Sequence, residues 1–319
     1  MKKTTKSLLA VTVAGVLALS GCAGSGGASP SGDASGGLTI GVVLSDASNP
    51  FFQTMADAIK EAGAAAGVEI IERSAPVGTD NETFNNNVDS LITLGVDGLI
   101  TAPISASNQQ ALQRAVDKGI PVVELDSAIA DWGGSIAEIQ TDNVQAGSDA
   151  IDLLVEGLDG KDVNAIIINN TLGYKSVDDR TEGAKAAIEA AGATLVQVVD
   201  GGVSQAEAQS NVETVLRAHP EINAIMGTVS VYALGGMQAL RTAGVDDGSV
   251  LVTGVDGSDA EFEAIEAGTY YGTAAQQPAE MGRMGLQAIL DSLDGKDVEA
   301  SILVPPVKVT AANVAEFLK

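Results

Sequence analysis

The chain has 319 residues, a formal net charge of −25 and a hydrophobic fraction of 45%. A surface this acidic repels the phosphates of nucleic acids, so the composition argues against a nucleic-acid-binding protein. The length suffices for one large lobe or two medium lobes. The single cysteine excludes an intramolecular disulfide and a cysteine-based metal cluster.

The N-terminal residues predict export. Lysines within the first six residues precede an uncharged apolar run at residues 8–19, which is too short to span roughly 30 Å of hydrocarbon as a helix. The run ends in small residues before Cys22, and this segment resembles the lipobox of bacterial lipoproteins. The resemblance implies a signal peptide at residues 1–21 and a lipid anchor on Cys22. The alternative is a structural thiol in an ordinary signal peptide.

Residues 22–37 are predicted to form a lipidated flexible tether. After the cysteine they consist almost entirely of Gly, Ser and Ala, which cannot bury enough apolar surface to become ordered. A disordered N-terminus without lipid is the alternative. With the lipid, we expect the protein on the extracytoplasmic face of the cell membrane.

Short β-branched runs alternate with longer amphipathic stretches after residue 37, which is the pattern of βαβ units on parallel sheets. In the first unit, residues 38–44 predict a buried strand, and a helix is predicted from Pro50 to about Ala66. Pro50 suits a helix start, because an N–H there would have no partner. Gly67 is expected to end this helix, before a strand that starts at residue 68.

The remaining strands fall into two series. They are predicted at residues 98–100, 121–125 and 136–139, with helices between them, and then at 165–168, 195–198, 224–226, 250–252 and 270–273. Two similar halves predict an α/β protein with two doubly wound parallel-sheet lobes. A ligand would bind in the crevice at the carboxyl ends of the strands.

The sequence contains no recognisable catalytic constellation. His219 is the one histidine, and it precedes a proline at a predicted helix end, where it interacts favourably with the helix dipole. A Gly-x-Ser-x-Gly elbow, a phosphate-binding loop and a His-rich metal spacing are absent from the sequence. The acidic turns lack the alternating ligands of a calcium loop. We therefore expect no enzyme activity, no metal and no cofactor.

Polar residues follow several predicted strands, where their side chains would project into the crevice. They are Ser45, Asp46, Asn49, Asp126, Asp142, Asn143, Asp256 and Gln276, and Arg180 is predicted to open the first helix of the second lobe. A guanidinium group and carboxylates suit neutral polyhydroxyl ligands, because each hydroxyl both donates and accepts hydrogen bonds. Each residue alone is also compatible with a turn or a cap. Together they predict a pocket.

Three aromatic residues are candidates for contact with this pocket. Phe51 and Phe52 begin the first predicted helix, and we expect one ring in the core and the other against the apolar face of a sugar. Trp132 lies in the segment after Asp126. It either stacks on the ligand or caps the core.

Six segments carry a resemblance to ribose-type periplasmic binding proteins. They are residues 45–52, 123–126, 141–143, 180–183, 254–257 and 276–278. The likeness runs in order through residues 38–319. It implies the type I periplasmic binding protein fold, in which three crossover segments, here near Thr141, Gln276 and Val304, join the lobes. The implied lobes are residues 38–140 plus 277–304, and residues 141–276 plus 305–319.

The resemblance also implies a set of ligand contacts. Carried over residue by residue, they are Ser45, Asn49, Phe51, Phe52, Asp126, Arg180, Asp256 and Gln276. The ribose-type pattern has Arg at the position of Ser127 and Asn at the position of Val229, and it has aromatic residues at Ser204 and Val255. Buried polar partners discriminate one hydroxylated ligand from another, so these departures argue against ribose itself.

The implied function is that of a monomeric solute-binding lipoprotein of an ABC importer. It would bind a small sugar or sugar-like polyol and deliver it to a membrane permease. The alternative is a sensor that presents the bound solute to a membrane receptor. A transcriptional repressor would need a helix-turn-helix before residue 38, and a sugar-active enzyme would need an acid/base carboxylate pair.

Overall fold

The computed structural model describes residues 37–170, 174–245 and 248–318 of the chain. The predicted signal peptide, Cys22 and all of the predicted tether except residue 37 lie outside the described residues. Twelve strands are found among the described residues: β1 (Thr39–Val43), β2 (Glu69–Glu72), β3 (Gly98–Thr101), β4 (Val122–Leu125), β5 (Ala137–Thr141), β6 (Asn164–Asn169), β7 (Thr194–Asp200), β8 (Ala224–Gly227), β9 (Leu251–Asp256), β10 (Gly272–Ala275), β11 (Ser301–Val304) and β12 (Val307–Thr310).

The same part of the chain contains nine α-helices. They are α1 (Pro50–Ala66), α2 (Asn81–Leu94), α3 (Gln109–Asp117), α4 (Asn143–Leu158), α5 (Lys175–Ala190), α6 (Gln205–Ala218), α7 (Ser230–Ala243), α8 (Asp259–Glu266) and α9 (Pro278–Leu293). The first helix shows why the ends fall where they do. The side chain of Asn49 accepts a hydrogen bond from the Phe51 amide, and Gly67 ends the helix with a φ of 71°.

The strands form two six-stranded sheets, one in each lobe. The orders are β11-β5-β4-β3-β1-β2 and β12-β10-β9-β8-β6-β7. In both sheets the first strand lies between the second and the third, which is the doubly wound order with a crevice at the carboxyl ends. The pairs described are parallel except β10 with β12, which is antiparallel. The predicted fold class is therefore confirmed.

The central strands of each sheet are buried on both faces, which explains why they are almost continuously apolar. In the first lobe, α1 and α9 cover one face, and α2 and α3 cover the other. In the second lobe, α6, α7 and α8 cover one face, and α4 and α5 cover the other. The chain passes between the sheets after β5, after β10 and after β11.

Three details of the sequence prediction were wrong. The segment between β4 and β5 contains no helix, because Asp131 and Gly133 adopt positive φ values of 58° and 62°. The tenth strand begins at Gly272 rather than at residue 270, because the side chain of Tyr270 turns into the core instead. Arg180 does not open its helix, because α5 already begins at Lys175.

Candidate functional site: a cleft between two lobes

An ion pair between Arg180 and Asp256 lies at the centre of the candidate site. Arg180 projects from the second turn of α5, and Asp256 is the last residue of β9. The Nη1 atom of Arg180 donates to Oδ1 of Asp256 at 2.9 Å. The Arg180 side chain is 5% exposed and that of Asp256 is 28% exposed, so the pair is buried on the side of the guanidinium group.

The second lobe holds Arg180 with two further hydrogen bonds. Its Nε donates to Oδ1 of Asn143, the first residue of α4, at 2.8 Å, and Nη1 also donates to the carbonyl oxygen of Thr228 at 2.9 Å. The remaining nitrogen, Nη2, donates to none of the described residues. A nearly buried guanidinium group thus keeps two N–H donors for a ligand.

Asp256 is held from three sides. In addition to Arg180, Gln276 donates from Nε2 to Oδ1 at 2.8 Å, and the backbone N–H of Ser230 donates to Oδ2 at 3.0 Å. Gln276 in turn accepts a hydrogen bond from Oγ1 of Thr141 at 2.7 Å. Thr141 ends β5 and Gln276 directly follows β10, and these two strands lead to two of the interlobe crossings. The site is therefore connected directly to these segments.

Asp126 approaches this pair from the first lobe, directly after β4. Burial raises its pKa to about 6, the negative charge of Asp256 adds to the rise, and the positive charge of Arg180 opposes it. Asp126 therefore lies near enough to Arg180 and Asp256 for both of their charges to act on it. Ser127 follows it and donates from Oγ to its Oδ2 at 3.3 Å.

The segment after β1 supplies the other predicted residues of the first lobe. Ser45 is buried, whereas Asn49 is exposed and uses its side chain to cap α1. Phe51 and Phe52 contact each other edge to face, with ring centroids 5.2 Å apart. Both rings are partly buried against the same apolar core, so the expected division into one core ring and one pocket ring is not visible.

Two predicted residues pack against apolar cores. Val229 is partly buried against the core of the second lobe, where it precedes α7 without a side-chain cap. Trp132 packs against the first lobe, and its Nε1 donates to Oε1 of Gln113 on α3 at 2.8 Å. Of the two alternatives for Trp132, these contacts favour the one in which it caps the core.

The comparisons with known proteins identify the family. The model of the periplasmic binding protein domain matches residues 40–297. The chain belongs to the periplasmic binding protein family. It is 31% identical to the D-allose-binding periplasmic protein of Escherichia coli, over 79% of this chain and 83% of that protein. It is 28% identical to the ribose import binding protein of Bacillus subtilis, over 84% and 86%.

A solved structure supports the same membership. An ABC transporter solute-binding protein from Bacillus halodurans C-125 with bound myo-inositol superposes with a TM-score of 0.73. The identity is 28%, and the match covers 89% of this chain and 98% of that one. The predicted ribose-type resemblance is thus confirmed, and the chain is similar to binding proteins of ABC transporters. No helix among the described residues is long and apolar enough to cross a membrane.

A buried carboxylate that sequence reasoning missed lies behind the first-lobe part of the cleft. Glu124 of β4 accepts from the Ile129 amide at 3.0 Å and from Oγ of Ser135 at 2.9 Å, so it holds the loop that begins at Asp126. Burial raises its pKa to about 7, the two hydrogen bonds oppose the rise, and Glu138 adds to it. The only sequence signal was one acidic residue in an apolar strand.

A second missed carboxylate, Glu261 of α8, lies behind the second-lobe part. The spacing of Ser258 and Glu261 forms a capping box, which signals a helix start but not a buried carboxylate. Burial raises the pKa of Glu261, the charge of Asp256 adds to the rise, and hydrogen bonds from Ser230, Ser258 and Tyr270 oppose it.

Proposed function

We propose that the chain is the extracytoplasmic solute-binding lipoprotein of an ABC importer. It binds one small neutral sugar or sugar-like polyol in the cleft and delivers it to the membrane permease. The observation that carries the proposal is the Arg180–Asp256 pair, in which the Nη2 donors are free among the described residues. The charges of both residues also act on Asp126 of the other lobe. The proposed contacts also include Ser45, Asn49, Phe51, Phe52, Ser127, Val229 and Gln276.

The charges at the cleft favour a neutral ligand. One guanidinium group lies among the carboxylates of Asp126 and Asp256, and it is already paired with the second of these. A phosphate or carboxylate ligand would bring a further negative charge against both aspartates. A hydroxyl can donate to a carboxylate and accept from Nη2 at the same time. This chemistry agrees with the sugar and polyol named for the relatives above.

A binding screen tests the ligand class. We expect at least one of D-ribose, D-allose, xylitol and myo-inositol to raise the melting temperature, because a ligand at 100 times its Kd stabilises the fold by about 2.7 kcal/mol. D-Allose and the polyols are favoured over ribose, given Ser127 and Val229. Glucose 6-phosphate and gluconate are the anionic controls, and stabilisation by these alone would contradict the proposal.

Delivery and anchoring need separate tests. Deletion of the gene should abolish uptake of the sugar that the screen identifies, whereas a sensor would alter only the response to it. Cys22→Ala should release the protein from the membrane fraction without a change in affinity, because the proposed lipid lies outside both lobes. Retention of the Cys22→Ala protein in the membrane fraction would contradict the lipid anchor.

A further inference from the structure

Glu261 is a fully buried acidic residue in the second lobe, five positions after Asp256. Among the described residues, no Lys, Arg or His forms an ion pair with it. A buried carboxylate without a cation is unfavourable unless hydrogen bonds compensate it. The contacts that hold Glu261 therefore indicate what it does.

One carboxylate oxygen of Glu261 binds the turn that follows Asp256. Oε2 accepts from the backbone N–H of Gly257 at 3.0 Å and of Ser258 at 2.9 Å. It also accepts from Oγ of Ser258 at 3.2 Å, and from Oγ of Ser230. The Ser230 contact matters for the site, because the backbone N–H of the same residue donates to Oδ2 of Asp256.

The other oxygen binds the core of the lobe. Oε1 accepts from the hydroxyl of Tyr270 at 2.7 Å and from Oγ1 of Thr273 at 3.1 Å. Neither Tyr270 nor Thr273 is hydrogen-bonded to Asp256 in the part of the chain that the structure describes. The two oxygens thus have different tasks, since Oε1 anchors Glu261 to the core and Oε2 holds the residues around Asp256.

The backbone at Asp256 requires such support. Its φ is 113°, in a region that residues other than glycine seldom adopt, and such conformations persist only where neighbouring contacts impose them. The next residue, Gly257, also has a positive φ of 74°. Two of the contacts that impose this turn are the amide hydrogen bonds to Glu261.

We propose that Glu261 is a positioning residue, which holds the carboxylate of Asp256 in its ligand-binding orientation through Gly257, Ser258 and Ser230. The inference rests on the proposed function, in which Asp256 binds the solute. An ordinary capping box would need only the reciprocal hydrogen bonds between Ser258 and Glu261. The hydrogen bonds from Gly257 and Ser230 to Glu261 are additional to those of a capping box.

The test compares two variants of the full chain. Glu261→Gln keeps the size of the side chain but removes its charge and one acceptor. Tyr270→Phe removes a buried hydrogen bond to the same residue, but on the oxygen that faces the core. The first readout needs no ligand: it is the amide NMR signal of Ser230 and the carboxyl ¹³C signal of Asp256. The second readout is the Kd for D-allose, D-ribose, xylitol and myo-inositol.

We expect Glu261→Gln to shift both NMR signals and to weaken binding of the probes that bind the wild type by about ten-fold or more. Tyr270→Phe should lower the melting temperature, leave both signals in place and change the Kd by less than about two-fold. A folded Glu261→Gln protein with wild-type NMR signals, or with wild-type affinity, would overturn the inference.

Two further results are also decisive. If none of the four probes binds the wild type, the proposed ligand class fails, and the NMR signals alone decide the role of Glu261. If Glu261→Gln does not fold, Ser230→Ala carries the same test, because it breaks the link to Glu261 but keeps the backbone N–H. In Ser230→Ala the carboxyl ¹³C signal of Asp256 should shift, and an unchanged signal would overturn the inference.

Discussion

Gly147 of α4 lies directly against the backbone of Arg180 on α5: a Cβ at position 147 would be 1.8 Å from the carbonyl oxygen of Arg180. The contact is reciprocal, because a Cβ at Gly183 would be 1.9 Å from the carbonyl oxygen of Val144. The two helices therefore cross with their backbones in contact. This close approach lets Nε of Arg180 reach Asn143 at the start of α4.

Gly147→Ala should consequently impair both the fold and the site. The added methyl group must push α4 and α5 apart, which costs about 1–3 kcal/mol of unfolding free energy and displaces Arg180 from Asp256. We expect roughly ten-fold weaker binding in calorimetry. Gly63→Ala is the matched control, because the atoms nearest to its Cβ would belong to the side chain of Ile70, at 2.5 Å, and the nearest backbone atom among them is a carbonyl oxygen at 3.3 Å. Equal losses of affinity in both variants would contradict this prediction.

Arg180→Met tests the ion pair itself. The substitution keeps much of the volume but leaves Asp256 without its cation and removes the free Nη2 donors. Binding should weaken by about 2 kcal/mol or more, because a charged hydrogen bond is lost and its partner is stranded. Lys308→Met also removes one positive charge from the second lobe, but its lysine pairs with Asp152 and Glu156 on α4. Wild-type affinity in Arg180→Met would exclude Arg180 from the site.

The sequence predicted the parts of the site that depend on strand order. Asp126, Asp256 and Gln276 end or follow strands, and the carboxyl ends of parallel strands meet at one edge of a sheet. The pattern of apolar runs was therefore enough to place Asp256 and Gln276 at the carboxyl edge of the second-lobe sheet, and Asp126 at the same edge of the first-lobe sheet. The two lobes followed from the two similar series of strands, and the three crossings followed from the family resemblance.

The parts that depend on tertiary contact were not predictable. The position of Arg180 follows from the α4–α5 crossing, in which Gly147 and Gly183 each lie against backbone more than 30 positions away in the sequence. The missing helix before β5 follows from the positive φ of Asp131, which propensity does not reveal. Glu124 and Glu261 are buried acids, and sequence patterns assign acids to the surface by default.

The pKa of Glu124 predicts a pH dependence of stability. Its folded value of about 7 lies above the ordinary value of 4.5, so the folded state binds the proton more tightly than the unfolded state. The stability that the protonated Glu124 adds to the folded state is fully present below pH 4.5, and it is lost as the pH rises to about 7. Relative to Glu124→Gln, the wild type should therefore lose at most about 3 kcal/mol of unfolding free energy between pH 4.5 and 8.

Urea unfolding of both proteins across this pH range is the measurement. Glu138→Gln provides an internal control, because the charge of Glu138 raises the pKa of Glu124 from the neighbouring strand. In that variant the pH range over which the unfolding free energy falls should move to lower pH. If the unfolding free energies of the wild type and Glu124→Gln change in parallel with pH, Glu124 does not titrate in this range.

The last prediction concerns closure of the cleft. With the lobes placed as they are in this structure, burial raises the pKa of Asp126 to about 6, and the negative charge of Asp256 adds to the rise. Closing an empty cleft at pH 7 therefore removes water from the Asp126 carboxylate, and the attraction of Arg180 does not fully offset this cost. A polyol offsets this desolvation cost by donating hydroxyl hydrogens to both carboxylates. A ligand shifts the balance between open and closed states only by its differential affinity for the two. Binding should thus select the closed state through a rigid rotation at the three crossings.

Small-angle scattering can separate the contributions of ligand and charge. At pH 8 the radius of gyration should fall when the sugar or polyol from the screen is added. Without ligand the radius of gyration should also fall between pH 8 and pH 5. Asp126 binds its proton more tightly when the lobes are closed, so the closed state becomes more stable relative to the open state as the pH drops through about 6. Asp126→Asn removes the charge that titrates, so its ligand-free radius should no longer depend on pH in this range. If ligand leaves the wild-type radius unchanged at saturation, the lobes do not close on the solute, even though the fold assignment stands.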